Sequence, residues 1–367
     1  MKKFLLSLLC VISGLLFGAL ILKLSGISAV EAYKVMWEGA FSRPSYIAYI
    51  MIRSTALILT GLSVAFAFRT GLFNIGAEGQ FIIGALTAAY FGCAFHFSPW
   101  LQIPLVLLLS TLTASFYGGL AGFMKARFGV HEVISTIMLN WIALYFSNFM
   151  VMTEGFHKPN TETSEFINPT TSITFLENWK VSDAGSTWLA QHDFLREFLR
   201  PPVNAGIFIA LICVIIIWII LSKTSFGFKL KAVGFSPEAA RYAGINVNKK
   251  MTQSMMIAGA LSGIAGATHV MGVSKNIAIL AAHEGYGFDG IAVSLIGSNS
   301  PFGALLSGFF LGTLKYSGQK IQSALEAPSE LISIMIGAII FFIAIPVLFE
   351  KSINKILKLI LKNEGEN

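Results

Sequence analysis

The chain has 367 residues, 55% of them hydrophobic and only 12% charged, with a mean hydropathy of +0.71. That charged fraction is about half of what a water-soluble domain carries, and apolar runs about 20 residues long, matched to bilayer hydrocarbon, recur from end to end. The net charge of +7 lies in short patches between those runs, as membrane topology distributes it, and not in the basic, aromatic-interleaved surface of a nucleic-acid binder.

In chain order, Lys2 and Lys3 precede an apolar stretch, 4–22, that resembles a signal peptide. No small-x-small cleavage site follows closely and the run is long for a signal core, so it reads as an uncleaved first span. Further spans are predicted over 47–68, 79–97, 101–122, 133–152, 204–222, 252–273 and 329–349. Between 288 and 314 two shorter apolar segments flank Gly297-Ser-Asn-Ser-Pro301, as two short spans or a re-entrant pair. The expected fold is an all-α, polytopic transmembrane helical bundle, a single transmembrane domain of about 8–10 spans with helix breaks at 71–80 and 297–301. Cys10, Cys93 and Cys213 sit far apart inside apolar stretches, which suggests neither a disulfide framework nor a zinc site.

Loop charges orient the chain. With a cytoplasmic N-terminus, the inner side collects Lys125, Arg127, Lys223, Lys229, Lys231, Arg241, Lys249, Lys250 and the C-terminal lysines Lys351, Lys355, Lys358 and Lys362, in keeping with the positive-inside rule. The outer loop 153–203 holds Glu154, Glu162, Glu165, Glu177, Asp183, Asp193 and Glu197; it is polar and expected to fold as an extracytoplasmic cap. The inner loop 223–251 is basic and reads as a helical hairpin. Ser236 can cap a helix that opens on Pro237 and Glu238 and ends at Gly244, an element that a soluble partner could grip.

Polar residues at membrane depth are costly and therefore informative. The densest set is Gly71-Leu-Phe-Asn-Ile-Gly-Ala-Glu-Gly-Gln80, which joins two apolar runs. Its glycines weaken a helix, and Asn74, Glu78 and Gln80 supply polar groups; it is either a cytoplasmic turn or irregular backbone lining a cavity. In Val130-His-Glu-Val-Ile-Ser-Thr-Ile-Met-Leu-Asn140, the residues Glu132, Thr136 and Asn140 share one helix face beside Trp141. That stripe serves either interhelical hydrogen bonding or pathway lining. Gly285-Tyr-Gly-Phe-Asp-Gly290 again places glycines and a carboxylate, Asp289, at a membrane break.

Enzymatic readings find little support. His131-Glu132 and His283-Glu284 lack the second histidine of a zinc-protease helix, and the Gly285-x-Gly-x-x-Gly290 spacing has no βαβ context. No phosphate-binding Lys loop is present, so any ATP is used by another polypeptide, and no cofactor or metal is expected in this chain.

The segment 71–80 resembles the hallmark of ABC-importer permeases of the branched-chain amino acid, sugar and nucleoside type. Lys231-Ala-Val-Gly-Phe-Ser-Pro-Glu-Ala-Ala-Arg-Tyr-Ala-Gly-Ile-Asn246 is similar to that family's cytoplasmic coupling loop, and Gly285–Gly297 through Pro301-Phe-Gly303 to its third signature. Val133-Ile-Ser-Thr-Ile-Met-Leu-Asn140 also fits. The resemblance covers roughly 45 to 345 apart from the outer loop, which is long for the family, and within the family looks most like nucleoside-uptake permeases, with riboflavin or sugar as alternatives.

It implies a multi-pass bacterial inner-membrane permease and not an enzyme. A separate ATPase would dock on Gly234, Pro237, Glu238, Ala239, Ala240, Arg241 and Gly244. A second permease subunit, identical or related, and a periplasmic or lipid-anchored binding protein would complete the assembly within the lipid. From the chemistry of the residues, Phe73, Trp141 and Phe288 could stack on a flat ring, and Asn74, Glu78, Gln80 and Asn140 could bond hydroxyls. Glu132 and Asp289 complete the candidate pathway. In a rival reading Glu78, Glu132 and Asp289 carry protons or ions in a secondary transporter.

Overall fold

The computed structural model describes residues 2–344; the last part of the 329–349 span and the lysines from Lys351 to Lys362 lie outside the described residues. The helices in order are α1 (Lys2–Leu24), α2 (Ala29–Phe41), α3 (Pro44–Phe68), α4 (Ala77–Ala94), α5 (Pro99–Phe128), α6 (Glu132–Val151), α7 (Asp183–Ala190), α8 (Asp193–Leu199), α9 (Gly206–Lys223), α10 (Ser225–Phe235), α11 (Pro237–Tyr242), α12 (Val247–His269, extended by a π turn Val270–Ser274), α13 (Tyr286–Ile296), α14 (Pro301–Leu325) and α15 (Ser329–Ala344).

Among the described residues, five helices are long and apolar enough to cross a bilayer: α3, α5, α6, α9 and α12 with its π turn. The paired α1 and α2 add a sixth if counted as one span bent by 119°. The expected count was larger, for reasons visible in the residues. Helix α4 has 18 residues, but Glu78 and Gln80 open it; α13 has only 11. Two features went unread in the sequence: the short helix α2 after the bend at Gly26 (φ +78°), and the length of α14. Lys315 and Lys320 end the apolar run at about 314, yet the helix continues through Ser317-Gly318 to Leu325.

Two compact units partition the chain, 44–312 and the remainder, with α14 passing from one to the other. In the terminal unit α1 and α15 approach closely: a Cβ at Gly14 would meet the Ile339 backbone at 3.0 Å, and one at Gly18 would meet Met335. In the central unit α3, α4 and α12 are largely buried, around Leu57, Ile58, Leu59, Leu62, Phe66 and Phe81. Helices α5, α6 and α9 carry the outward apolar faces, among them Leu108, Leu112 and Phe116, Ile134 and Ile142, Ile212 and Ile216. Backbones come close because small residues face each other: a Cβ at Gly84 would collide with Gly263, and one at Gly259 with the Ala114 carbonyl on α5, the packing that membrane helices use where burial of apolar surface supplies no drive.

Residues 153–203 fold as a cap containing α7 and α8. Part of it, itself folded back by the bridge His157–Ser164, lies as a ribbon along 275–279 through the bridge Thr163–Ala278 and backbone bonds Ser164 N to Ile277 O (2.8 Å), Ile167 N to Lys275 O (2.9 Å) and Ile279 N to Glu162 O (2.8 Å). Lys275 Nζ, donating to Thr174 Oγ1 (2.7 Å), the Met271 carbonyl (3.0 Å) and Glu177 Oε2 (3.2 Å), ties the cap to the end of α12. Burial opposes ionisation of Glu177, but the Ser172 hydroxyl and the Lys275 ammonium outweigh it and hold its carboxyl below the ordinary range.

Candidate functional site: two helix breaks joined by one carboxylate

Helix α3 ends at Phe68, and Gly71 (φ +73°) turns the chain so that Leu72 N bonds back to the Ala67 carbonyl. Residues 72–76 run without helix until α4 begins at Ala77. This irregular backbone is buried, which a bilayer tolerates only when its polar groups are satisfied inside the protein. Asn74 and Gln80 form a reciprocal amide pair (Asn74 Nδ2 to Gln80 Oε1, 2.9 Å; Gln80 Nε2 to Asn74 Oδ1, 3.1 Å), and Asn74 also donates to Ser63 Oγ at 3.2 Å. From α6, Asn140 accepts from Gly79 N (2.8 Å) and donates to the Ile75 carbonyl (3.0 Å).

Glu78 has no solvent exposure. Its two oxygens accept from Gly285 N (2.8 Å) and Gly287 N (2.6 Å), donors at the head of α13 that have no helical partner. Gly285, at φ +89°, gives the turn that aims them. The same helix start is held by Thr60, whose hydroxyl donates to the Tyr286 carbonyl at 3.0 Å. The predicted breaks at 71–80 and 285–290 are therefore one structure, clamped at its centre by Glu78.

The break at 297–301 sits at the other end of α13. Ser298 and Asn299 both take φ near +52°, and Ser294 Oγ donates to Asn299 Oδ1 at 2.7 Å. Arg69 Nε donates to the Asn299 carbonyl at 2.8 Å, while a Cβ at Gly234, the penultimate residue of α10, would collide with the Arg69 carbonyl. Gly234 thus touches the turn between α3 and the first break.

Other predicted residues fall as follows. Glu132, at the start of α6, forms an ion pair with Lys125 on the last turn of α5. Thr136, buried on the same face, packs against Gly76. Phe73 lies against Phe68, ring centres 5.1 Å apart. Asp289 occupies the first turn of α13. Trp141 and Phe288 are exposed and are bridged by a residue without an assigned role in the sequence: the His283 ring stands edge-on to Trp141 at 4.6 Å and 5.7 Å from Phe288, with Tyr145 stacked on Trp141 at 5.9 Å. In the hairpin, Ser236 Oγ accepts from Ala239 N at 3.2 Å, α11 opens on Pro237, and Gly244 (φ +77°) ends the turn. Pro237, Glu238, Ala239, Arg241 and Gly244 are exposed, whereas Ala240 is buried with Val233 and Val247.

Sequence reasoning passed over Asn148, which clasps Leu280 in both directions (Nδ2 to O and N to Oδ1, each 2.9 Å). It lies two i+4 steps beyond Asn140, so extending the stripe 132–136–140 along α6 would have found it. Among the described residues no group of three or more His, Cys, Asp or Glu is placed to hold a metal ion.

The family described as "Branched-chain amino acid transport system / permease component" matches across residues 46–344. The chain is 38% identical to the guanosine ABC transporter permease protein NupP of Bacillus subtilis over 347 residues, 94% of each chain. It is 34% identical to the nucleoside ABC transporter permease protein NupB of Lactococcus lactis over 360 residues, 96% of this chain and 94% of that one. A glucose ABC transporter permease protein of Haloferax volcanii is 26% identical, over 94% of this chain and 87% of its own length. No solved structure matches.

Proposed function

Because this chain belongs to the family of branched-chain amino acid transport system permease components, we propose that it is the subunit through which an ABC importer passes nucleosides. It is a multi-pass membrane permease subunit, not an enzyme, and works with an ATPase and a substrate-binding protein. The substrate reading is carried by one observation, the 38% identity to a guanosine permease along 94% of both chains. The exposed rings of Trp141 and Phe288, joined by the half-buried His283, support it, since a nucleobase presents a flat π face to such rings. A sugar is the second reading, favoured by the similarity to a glucose permease.

The ion-coupled alternative gives way to the family assignment, and Glu78 is engaged by backbone donors and Glu132 by Lys125. In our reading two permease subunits, identical or related, surround one path in the bacterial inner membrane, with the N-terminus cytoplasmic. The ATPase grips the exposed face of α10 and α11 through Pro237, Glu238, Ala239 and Arg241. Its closure moves Gly234 against Arg69 and so reaches both breaks. The path is formed around the clamped segments, with Trp141, Phe288 and Asp289 nearest the solute. Phe73, Asn74, Glu78, Gln80, Glu132 and Asn140 hold its walls.

The test is ATP-dependent uptake of labelled guanosine and labelled glucose by proteoliposomes carrying the permease, its ATPase and its binding protein. Guanosine uptake, competed by adenosine and not by glucose, is expected. Glucose uptake without nucleoside uptake would overturn the nucleoside reading.

A further inference from the structure

In the central unit lies a partly open cavity of about 140 Å³, lined by α4 around Phe81, by Ser147 of α6, by His269 and Ser274 at the end of α12, and by the strap 276–284, whose Asn276 and Glu284 join the apolar Ile277, Ala278 and Leu280. Its polar groups are not all engaged. The Ser274 hydroxyl is buried with no hydrogen-bond partner, and neither the Asn276 amide nor the Glu284 carboxylate makes a hydrogen bond or ion pair among the described residues. Buried polar groups in native proteins are nearly always satisfied, so the buried, unpartnered Ser274 hydroxyl, beside the half-buried Asn276 amide and the exposed Glu284 carboxylate, marks a place where a ligand or water completes the bonding.

The chemistry is that of polyol recognition. A carboxylate accepts from hydroxyls, an amide both donates and accepts, and a serine does either. Phe81, stacked on Tyr286 at 5.0 Å and with His269 5.8 Å away, offers an aromatic face to the C–H side of a sugar ring. Size selects the occupant. The space, about 140 Å³, is well below the roughly 300 Å³ at which pockets enclose a larger ligand. The enclosed part suits the pentose of a nucleoside, and the open side leaves the base outside it. Glu284 lines the cavity, and the preceding residue, His283, is the one that bridges Trp141 and Phe288.

We propose that the cavity between Phe81, Ser274, Asn276 and Glu284 is the pentose subsite of a two-part nucleoside site, with the base stacked on the Trp141–His283–Phe288 group. This rests on the nucleoside reading above. The unpaired Ser274 and Glu284 groups then discriminate against a sugar lacking a hydroxyl, because the deoxy analogue leaves them unsatisfied.

Proteoliposomes with the full transporter test this when the binding protein is supplied saturated with guanosine, 2′-deoxyguanosine or 3′-deoxyguanosine, so that the selectivity measured belongs to the membrane subunits. The native transporter is expected to move guanosine about fivefold faster than at least one deoxy analogue, the factor of one hydrogen bond. Ser274→Ala and Glu284→Gln are expected to erase that ratio by slowing guanosine, while Trp141→Ala slows all three alike. Equal rates for the three nucleosides in the native protein, or a ratio left intact by both Ser274→Ala and Glu284→Gln, would overturn the subsite and leave the nucleoside reading standing. A native transporter that moves no nucleoside overturns both.

Discussion

Glu78 is a carboxylate without solvent contact at the middle of a membrane bundle, and it persists there because two backbone donors at the head of α13 converge on it. Charge-assisted bonds of this kind are stronger than neutral ones, and the carboxylate also complements the positive end of the α13 dipole. Removing it orphans buried N–H groups at about 1–3 kcal/mol each. Glu78→Ala is therefore expected to lower the melting temperature of the purified protein in detergent, and Glu78→Gln, which keeps one good acceptor, to lower it less. A Glu78→Ala protein that melts like the native one yet fails to transport would assign the residue to the solute and not to the clamp. The Asn74–Gln80 pair obeys the same logic, since each amide already satisfies the other.

At the scale of elements, the hairpin α10–α11 separates folding from coupling. Ala240 is buried with Val233 and Val247, while Glu238 and Arg241 are exposed at the first and last turns of α11, where a charge reversed against the helix dipole costs about 0.3–1 kcal/mol. The double reversal Glu238→Lys with Arg241→Glu is expected to leave membrane insertion unchanged, to lower the melting temperature only slightly, and to abolish ATP-driven uptake. Full uptake by that variant would refute the docking face. The hairpin was legible beforehand because its punctuation is local: a serine cap, a proline at the first helical position and a glycine at the end each act through their own backbone geometry. The apolar spans were legible for a similar reason, as length and hydropathy are properties of a run. What the chain did not disclose were pairings at long range. That Glu78 would meet Gly285 and Gly287, or that Arg69 would meet Asn299, depends on how α13 and α14 return to α3 and α4, which no local pattern encodes. The polar stripe on α6 lay between the two cases: its face was evident from the four-residue spacing, but not that Asn140 would hold the first break and Asn148 the strap.

Across the whole molecule, the cap, the strap and the breaks form a chain of contacts from the 153–203 loop to the hairpin. The cap holds 275–279 by backbone bonds, Asn148 holds Leu280, Glu78 holds Gly285 and Gly287, and Arg69 and Gly234 meet at the far end. The cap's hold is also apolar, with Phe156, Ile167 and Ile173 in one buried cluster with Val270 and Met271 and with Ile277 and Ile279 packed against it; the links from the strap onward are a few hydrogen bonds each and can open at modest cost. If alternation between outward- and inward-open states moves the strap relative to the cap, fixing the two together must stop transport. Thr163 and Ala278 are opposed across an antiparallel bridge, which places their Cα atoms about 4.5–5.5 Å apart, inside the range that a disulfide spans. Thr163→Cys with Ala278→Cys, oxidised in a background lacking the native cysteines, is expected to lower uptake at least tenfold, with recovery on reduction and no effect of oxidation on either single variant. Undiminished uptake by the cross-linked protein would mean that cap and strap travel as one body, and would place the moving seam between the strap and the Glu78 clamp.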